Sequence, residues 1–339
     1  MVQNVNIGII GAGAIGCLFG GYISQVESDE IELNIHLYTR EKCKKKISKE
    51  GLIIKKGGST RKFSKLTIFD EPVLPKTKIL DTNYAFTYLF LTTKAYDNAS
   101  AILEYDDLIK KAKYFIILQN GIGNEDLIVE KFPNKKILRA ITTNGALMEE
   151  DCSIIHTGQG LTKIGLISQR KGNSNQLKIE QEDKENLEAI KNILTLAGLE
   201  TTIVEDIEKD CWEKAFINIG INAFGALTGL RNGEMIQNSG LKNLMECAVI
   251  EAVNVAKAKG VNIGKKNYVD LMLDVARRTS NNKNSMLQDI SKGKTKTEIS
   301  FLNGKIVKYG KQLNIDVNIN EVLTNLIYGL EISNRIKNT

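Results

Sequence analysis

Histidine is almost missing from this chain, with two in 339 residues, His36 and His156. Each sits in a strand-like run, which points to packing and away from a Ser-His-Asp triad. With no His/Cys cluster, no metal site is expected. The five cysteines, Cys17, Cys43, Cys152, Cys211 and Cys247, are odd in number and form no C-x-x-C pair. Free thiols in a reducing cytoplasm are therefore expected. No run of about 18 apolar residues occurs, so no membrane span is expected. The N-terminal stretch lacks the basic region of a signal peptide. The excess of one charge sign over the other is small too. The 46 basic and 40 acidic residues leave +6, which is too mild for a nucleic-acid binder but suits an anionic ligand. No basic stripe is interleaved with aromatics. Proline occurs only three times, which we read as compositional drift.

What is present is enough for two domains with sizeable cores. Apolar residues make up 42% and charged residues 25%, the balance of an ordinary globular protein. The chain is organised around Asn6-Ile7-Gly8-Ile9-Ile10-Gly11-Ala12-Gly13-Ala14-Ile15-Gly16, an apolar strand running into a glycine turn and then a helix. Gly11, Gly13 and Gly16 fit G-x-G-x-x-G. The first glycine permits the tight turn, the second lets a pyrophosphate approach bare backbone, and the third lets helix and strand pack closely. The helix N-terminus offers free N–H groups and the positive end of its dipole. A structural turn in some other α/β protein is the alternative. The apolar strand before the turn and the apolar helix after it favour the dinucleotide reading.

An alternating strand over 31–38 ends at Thr39-Arg40. In a dinucleotide-binding unit, this strand end meets the adenosine ribose. An acid there suits the free hydroxyl of NAD, and a base suits the 2′-phosphate of NADP. Arg40 points to NADP, while the lysines behind it (Lys42, Lys44, Lys45, Lys46) read as a solvated helix face. Residues 52–80 hold short β-like pieces around Gly57-Gly58 and an acidic-proline turn. Near-continuous apolar strands follow at 84–91, before Thr92-Thr93-Lys94, and at 114–118, before Gln119-Asn120-Gly121. Ligands of an open parallel sheet bind beyond the carboxyl ends of its strands. Lys94 and Asn120 sit at such ends, as does the glycine turn.

Residues 137–142 read as a further strand, and 152–156 with 161–167 as a hairpin across Gly158-Gln159-Gly160. Residues 169–185 read as a charged surface loop, 186–197 as a helix stopped by Gly198, and 200–204 as a last strand. Beyond about 206 the pattern is helical only, with helices over 241–256, 267–278, 297–313 and 320–336. The expected organisation is an α/β domain over 1–206 with a parallel sheet, then an all-α domain over 207–339.

The first helix of the second domain, 211–225, is apolar almost all round and should be buried. Yet Lys214, Asn218 and Asn222 recur every four residues on one face. Desolvated polar groups without partners cost about 1–3 kcal/mol each. Such a stripe faces a cleft, a ligand or a matched polar partner. A polar contact between domains and a lysine snorkelling from the first turn are the bland alternatives. Two late polar clusters, 284–289 and 297–304, read as loop and cap from spacing alone.

Together these residues resemble the ketopantoate reductase family nearly end to end. The carriers are Gly11-Ala12-Gly13-Ala14-Ile15-Gly16, Leu91-Thr92-Thr93-Lys94 and Gln119-Asn120-Gly121-Ile122-Gly123-Asn124-Glu125. To these the second domain adds Trp212-Glu213-Lys214, Ser285-Met286-Leu287-Gln288-Asp289 and Thr297-Glu298-Ile299. The resemblance implies a Rossmann domain followed by a helical domain, with the active site between them. It implies reduction of ketopantoate by NADPH in pantothenate and coenzyme A biosynthesis. Lys214 matches the lysine that protonates the substrate carbonyl oxygen. Asn218, Asn222, Asn232 and Ser285 match substrate contacts, as does Asn120. Lys94, Asn120, Ala146 (near a strand end) and Glu298 match cofactor contacts, which join the glycine turn Gly11, Ala12, Gly13, Ala14, Ile15 and Gly16 and the strand-end Arg40 as the expected cofactor site. The chain departs from the family pattern at Ala223, often proline, and at Ser300, often aspartate. A reductase of another branched 2-keto acid is one alternative, and a non-catalytic dinucleotide sensor is another. A small-molecule 2-keto acid is the expected partner, with no nucleic acid and no membrane, and the sequence allows a homodimer.

Overall fold

The computed structural model describes residues 2–75, 83–167 and 180–338. Chain contacts divide it into two units. Unit 1 holds Met1–Gln119 and Glu125–Ile207, and unit 2 holds Asn120–Asn124 and Glu208–Thr339.

Unit 1 begins with β1 (Gln3–Ile10), α1 (Ala14–Ile23), β2 (Ile31–Tyr38) and α2 (Glu41–Glu50). Next come β3 (Leu52–Lys56), β4 (Ser59–Phe63), β5 (Thr67–Phe69) and β6 (Phe86–Leu91). Then follow α3 (Asn98–Glu104), α4 (Asp106–Lys110), β7 (Ala112–Leu118), α5 (Asp126–Lys131) and β8 (Lys136–Thr142). β9 (Gly145–Met148), β10 (Ile154–Gly158), β11 (Thr162–Leu166), α6 (Gln181–Leu196) and β12 (Thr201–Ile203) complete it.

The main sheet has eight strands in the order β12-β11-β8-β7-β6-β1-β2-β5. From β8 to β5 all neighbours are parallel, and β11 joins β8 antiparallel. β1, β6 and β7 are buried almost continuously, as parallel strands covered on both faces must be. From β1 the chain goes to β2 on one side and returns to β6 on the other. This reversal makes the carboxyl ends of β1 and β6 the switch point at which open sheets bind ligands. A second sheet, β4-β3-β10-β9, is hydrogen-bonded separately from the first and shares its core, with Leu52, Ile54, Phe63 and Ile154 packed among the residues of β1 and α1.

Three expectations change here. The proposed hairpin over 152–167 is absent, because β10 pairs with β3 and β9 whereas β11 pairs with β8 and β12. Turn residues and alternation permit a hairpin, but the two runs complete different sheets. The expected loop over 169–185 lies partly outside the described residues. Its last part, from Gln181, is the first turn of α6, started by a capping box of Glu180 and Asp183. The five cysteines are not all free, since Cys43 and Cys152 form a disulfide across 109 residues with Cα atoms 5.6 Å apart. Cys17, Cys211 and Cys247 are free. No spacing rule announces a pair that only packing of α2 beside the turn after β9 brings together. The histidines do pack. His36 is buried between Phe69 and Phe86, and His156 bonds to Tyr22 and to the Gly158 carbonyl.

Among the described residues unit 2 is helical throughout. It contains α7 (Ile207–Thr228), α8 (Asn232–Gln237), α9 (Ser239–Ala258), α10 (Tyr268–Arg278) and α11 (Ser285–Ser291). A short 3-10 turn (Ile299–Phe301), α12 (Asn303–Leu313) and α13 (Asn318–Asn338) follow. The reading of 297–313 as one helix is thus split at Leu302, whose φ of −118° and ψ of −105° break the helical path. α7 runs through the core. Trp212, Phe216, Ile219 and Phe224 pack with Met245, Val249, Met272, Ile306 and Ile327. Each large side chain so buried contributes about 1.5–3 kcal/mol. Ala223 continues α7 without a break. No helix among the described residues is long and apolar enough to cross a membrane.

Candidate active site

In unit 1, the glycine turn is tied from two sides. The N–H groups of Gly11 and Ala12 donate to the Tyr38 carbonyl at 3.2 and 2.9 Å. Thr92 Oγ1 donates to the carbonyls of Ile10 and Gly11 at 3.0 and 2.7 Å. The three glycines differ in what surrounds them. Gly11 has φ +83°, and a Cβ there would strike the Thr93 side chain and stand 2.7 Å from the Thr93 nitrogen. A Cβ on Gly16 would lie 2.5 Å from Thr92 Oγ1 and 2.8 Å from the Gly11 carbonyl. At Gly13 a Cβ would meet nothing nearer than 3.8 Å. The first and third positions are therefore closed by the protein itself. The second is open, as a cradle for an incoming pyrophosphate must be. Ala14 and Ile15 open α1 above it, with the unpaired N–H groups of a first helical turn.

Because Tyr38 holds the glycine turn, Thr39 and Arg40 stand beside it. Arg40 is exposed and caps α2, with its carbonyl accepting from Cys43 and Lys44. Lys94 follows Thr93, against which Gly11 packs. Gly11 to Gly16, Arg40 and Lys94 thus share one sheet edge. Ala146 does not lie at the end of β8. It stands within β9, paired with His156 in the second sheet, because the extended chain past Thr142 finds a new partner in β10.

Sequence reasoning missed the residues that hold this edge. Gln119 Nε2 donates to the Thr93 carbonyl at 2.8 Å and to Asn98 Oδ1 at 2.7 Å. Buried Arg139 donates through Nη1 and Nη2 to the carbonyls of Ile117 and Gln119 at 3.0 and 2.9 Å. A charged residue inside an apolar strand was the signal that could have found it.

In unit 2, Lys214 Nζ donates to Asn120 Oδ1 at 2.7 Å. Asn120 Nδ2 in turn donates to Glu298 Oε2 at 3.4 Å. A carboxylate can only accept, so Glu298 takes the amide nitrogen of Asn120 and leaves its oxygen for the ammonium. Although Asn120 follows β7 in sequence, the segment carrying it packs with the helices. Gly121 turns the chain at φ +90° beside the Phe301 carbonyl, which a Cβ would meet at 2.7 Å. Ile122 donates to that carbonyl at 3.1 Å and enters the helical core. Asn124 Nδ2 donates to the Asn120 carbonyl at 2.7 Å. Glu298 is buried, and the turn before it is held by Glu331, which accepts from the Thr297 nitrogen and hydroxyl. Glu331 is another residue the sequence did not single out.

Asn218 and Asn222 continue the face of α7 beyond Lys214. Among the described residues none hydrogen-bonds either side chain. Ser285 is exposed on the first turn of α11. The cap of that helix, buried Asn284, donates to the Ile221 carbonyl at 3.3 Å, next to Asn222. Asn232 is buried, bonds to Thr279 Oγ1 at 2.9 Å, and receives no bond at its Oδ1. Its backbone N–H donates to the Asn282 carbonyl, two residues before Asn284. Among the described residues, no group of three or more His, Cys, Asp or Glu could hold a metal ion.

Known proteins share this sequence and architecture. Residues 7–169 match the model for ketopantoate reductase PanE/ApbA, and residues 206–331 match the model for its C-terminal part. The 2-dehydropantoate 2-reductase of Pyrococcus horikoshii is 33% identical over 327 residues, covering 96% of this chain and 98% of that protein. That of Archaeoglobus fulgidus is 30% identical over 333 residues, covering 97% and 98%. A PanE/ApbA family ketopantoate reductase structure from Ralstonia eutropha has the same fold, with a TM-score of 0.81 at 24% identity over 98% of this chain and 100% of that one. The ternary structure of D-mandelate dehydrogenase with NADH and anilino(oxo)acetate also shares it, with a TM-score of 0.81 at 22% identity over 98% and 99%. From the glycine turn in unit 1 to the Asn120–Lys214–Glu298 cluster in unit 2, the chain belongs to the ketopantoate reductase family.

Proposed function

We propose that this protein reduces 2-dehydropantoate to pantoate with NADPH, in pantothenate and coenzyme A biosynthesis in the cytoplasm. The observation that carries the reading is the Lys214 ammonium held 2.7 Å from Asn120 Oδ1, with Glu298 fixing the amide. The open space at Gly13, between two closed glycine positions, fits a dinucleotide pyrophosphate. Arg40 suits the 2′-phosphate, and Lys94 is a further cofactor contact on this reading. NADPH supplies the hydride when bound.

The rest is the work of side chains. Negative charge grows on the ketone oxygen as the carbon is reduced. Lys214 stabilises that charge and transfers a proton from Nζ to the oxygen. Asn120 keeps Nζ aimed until substrate takes its place. Asn218, Asn222, Asn232 and Ser285 hold the substrate hydroxyl and carboxylate without adding charge, which leaves the lysine as the one cationic proton donor of the face. Lys214→Ala is expected to lower kcat about 100- to 10,000-fold with a small change in KM. An unchanged kcat in a folded variant would overturn the role.

A second reading, reduction of another branched 2-keto acid, is favoured by one position. Where the family often has aspartate, Ser300 pairs its hydroxyl with that of Tyr328 at 3.0 Å. A kcat/KM panel of 2-dehydropantoate, 2-ketoisovalerate and 2-ketoisocaproate separates the two.

A further inference from the structure

α2 follows Arg40 directly, and its sequence makes it a weakly anchored helix. Five of its ten residues are lysines, and only Cys43 and Ile47 are buried. Its ion pairs, Lys44 with Asp70, Lys45 with Glu41 and Lys46 with Glu50, are largely solvent-exposed and contribute little. One of its two buried anchors is thus the Cys43–Cys152 disulfide. Cys43 lies in the first turn, and its N–H donates to the Arg40 carbonyl at 3.0 Å. The other end of the crosslink is firmer. In the turn over 149–153, the Glu149 N–H donates to the Ser153 carbonyl at 2.9 Å and the Cys152 N–H to the Glu149 carbonyl at 3.0 Å. The Ser153 hydroxyl donates to Glu149 Oε2 at 2.6 Å. Those bonds hold the 149–153 turn without the crosslink, whereas the first turn of α2 has beyond it the Lys44–Asp70 pair and the Thr39 N–H bond to the Phe69 carbonyl.

We infer that the Cys43–Cys152 disulfide is a positioning element for Arg40, so that its redox state sets the preference between phosphorylated and unphosphorylated dinucleotide. The inference rests on the NADPH reading of Arg40. The chemistry is ordinary exchange with a dithiol reductant. Its thiolate attacks the sulfur of Cys152, a residue that lines a surface pocket with Lys42, Lys45, Lys46, Lys49, Glu50 and Asp151. The S–S bond breaks, and a mixed disulfide forms as Cys43 leaves as thiolate. The second reductant thiol then displaces Cys152. The protein gains two electrons and two protons, and the reductant becomes a disulfide. The surrounding lysines favour the thiolates at each step.

The test compares oxidised protein, dithiol-reduced protein and the Cys43→Ser/Cys152→Ser double variant. Thiols are counted after denaturation, and the dissociation constants of NADPH and NADH are measured by fluorescence titration. Oxidised protein should show three thiols and reduced protein five. Reduction should weaken NADPH about tenfold, within the range of a charge-assisted hydrogen bond, and leave NADH nearly unchanged. The double variant should match reduced protein and ignore dithiol. If it does not fold, reduced wild-type protein carries the comparison alone. Five thiols in the protein isolated without reductant, or an unchanged NADPH-to-NADH ratio on reduction, would overturn the inference. Arg40→Ala in oxidised protein separates the two ideas. If it too leaves the ratio unchanged, the phosphate reading has failed. If it lowers the ratio while reduction does not, only the crosslink's role has failed.

Discussion

Alanine at each of the three motif glycines should give three different results, because the protein surrounds each differently. Gly13 has φ −80° and ψ −159°, extended backbone open to any residue, and a Cβ there finds no protein atom within 3.8 Å. Gly13→Ala therefore costs the fold nothing. Restricting the unfolded chain should even stabilise it by about 0.4–1 kcal/mol. The methyl group nevertheless occupies the space above the turn where a pyrophosphate would meet bare backbone. Losing charge-assisted hydrogen bonds worth about 1.5–3 kcal/mol weakens binding about 10- to 150-fold. Gly11→Ala combines a left-handed φ with a 2.7 Å approach to the Thr93 nitrogen, and should destabilise by about 2–4 kcal/mol. Gly16→Ala meets a carbonyl at 2.8 Å as well as a hydroxyl, and falls between them. Thermal melts give the stability order, and fluorescence titration with NADPH gives the affinities. A Gly13→Ala protein that melts like wild type and binds NADPH with unchanged affinity would refute the cradle.

Two further predictions concern the scaffold. Burial pushes the pKa of His36 down from 6.5 to about 4, and neither ring nitrogen has a hydrogen-bond partner. Its contribution to stability is complete above pH 6.5 and is lost as pH falls toward 4, by about 3 kcal/mol in all. Urea unfolding at pH 7 and pH 4.5 should show this loss in wild type and less of it in His36→Phe; equal losses would assign the slope to other groups. Arg139→Met strands the Ile117 and Gln119 carbonyls that the guanidinium now satisfies, and should cost about 2–4 kcal/mol. Equilibrium denaturation measures it, and a loss below about 1 kcal/mol would show that the strand end holds itself.

The sequence by itself determined the elements whose chemistry is local. Gly11, Gly13 and Gly16 announced their turn because tight turn, close approach and close packing each demand glycine at a set spacing. The strands at β6 and β7 were legible because parallel strands must be apolar on both faces. Lys214, Asn218 and Asn222 were legible as one face because the helical period is regular. What the face was for was not legible, since spacing says nothing of what lies opposite.

Tertiary structure alone decided the rest. Asn120 follows a strand of unit 1 yet packs with unit 2, because Gly121 turns the chain onto Phe301 and Ile122 finds its apolar partners among the helices. That placement sets its amide between Lys214 and Glu298. Cys43 and Cys152, 109 residues apart, meet only because α2 and the turn after β9 pack side by side. Arg139, Gln119 and Glu331 hold backbone carbonyls, backbone N–H groups or neighbouring side chains. Such long-range partners leave no periodic trace in a chain, because they depend on which distant segments the finished core brings within hydrogen-bonding reach.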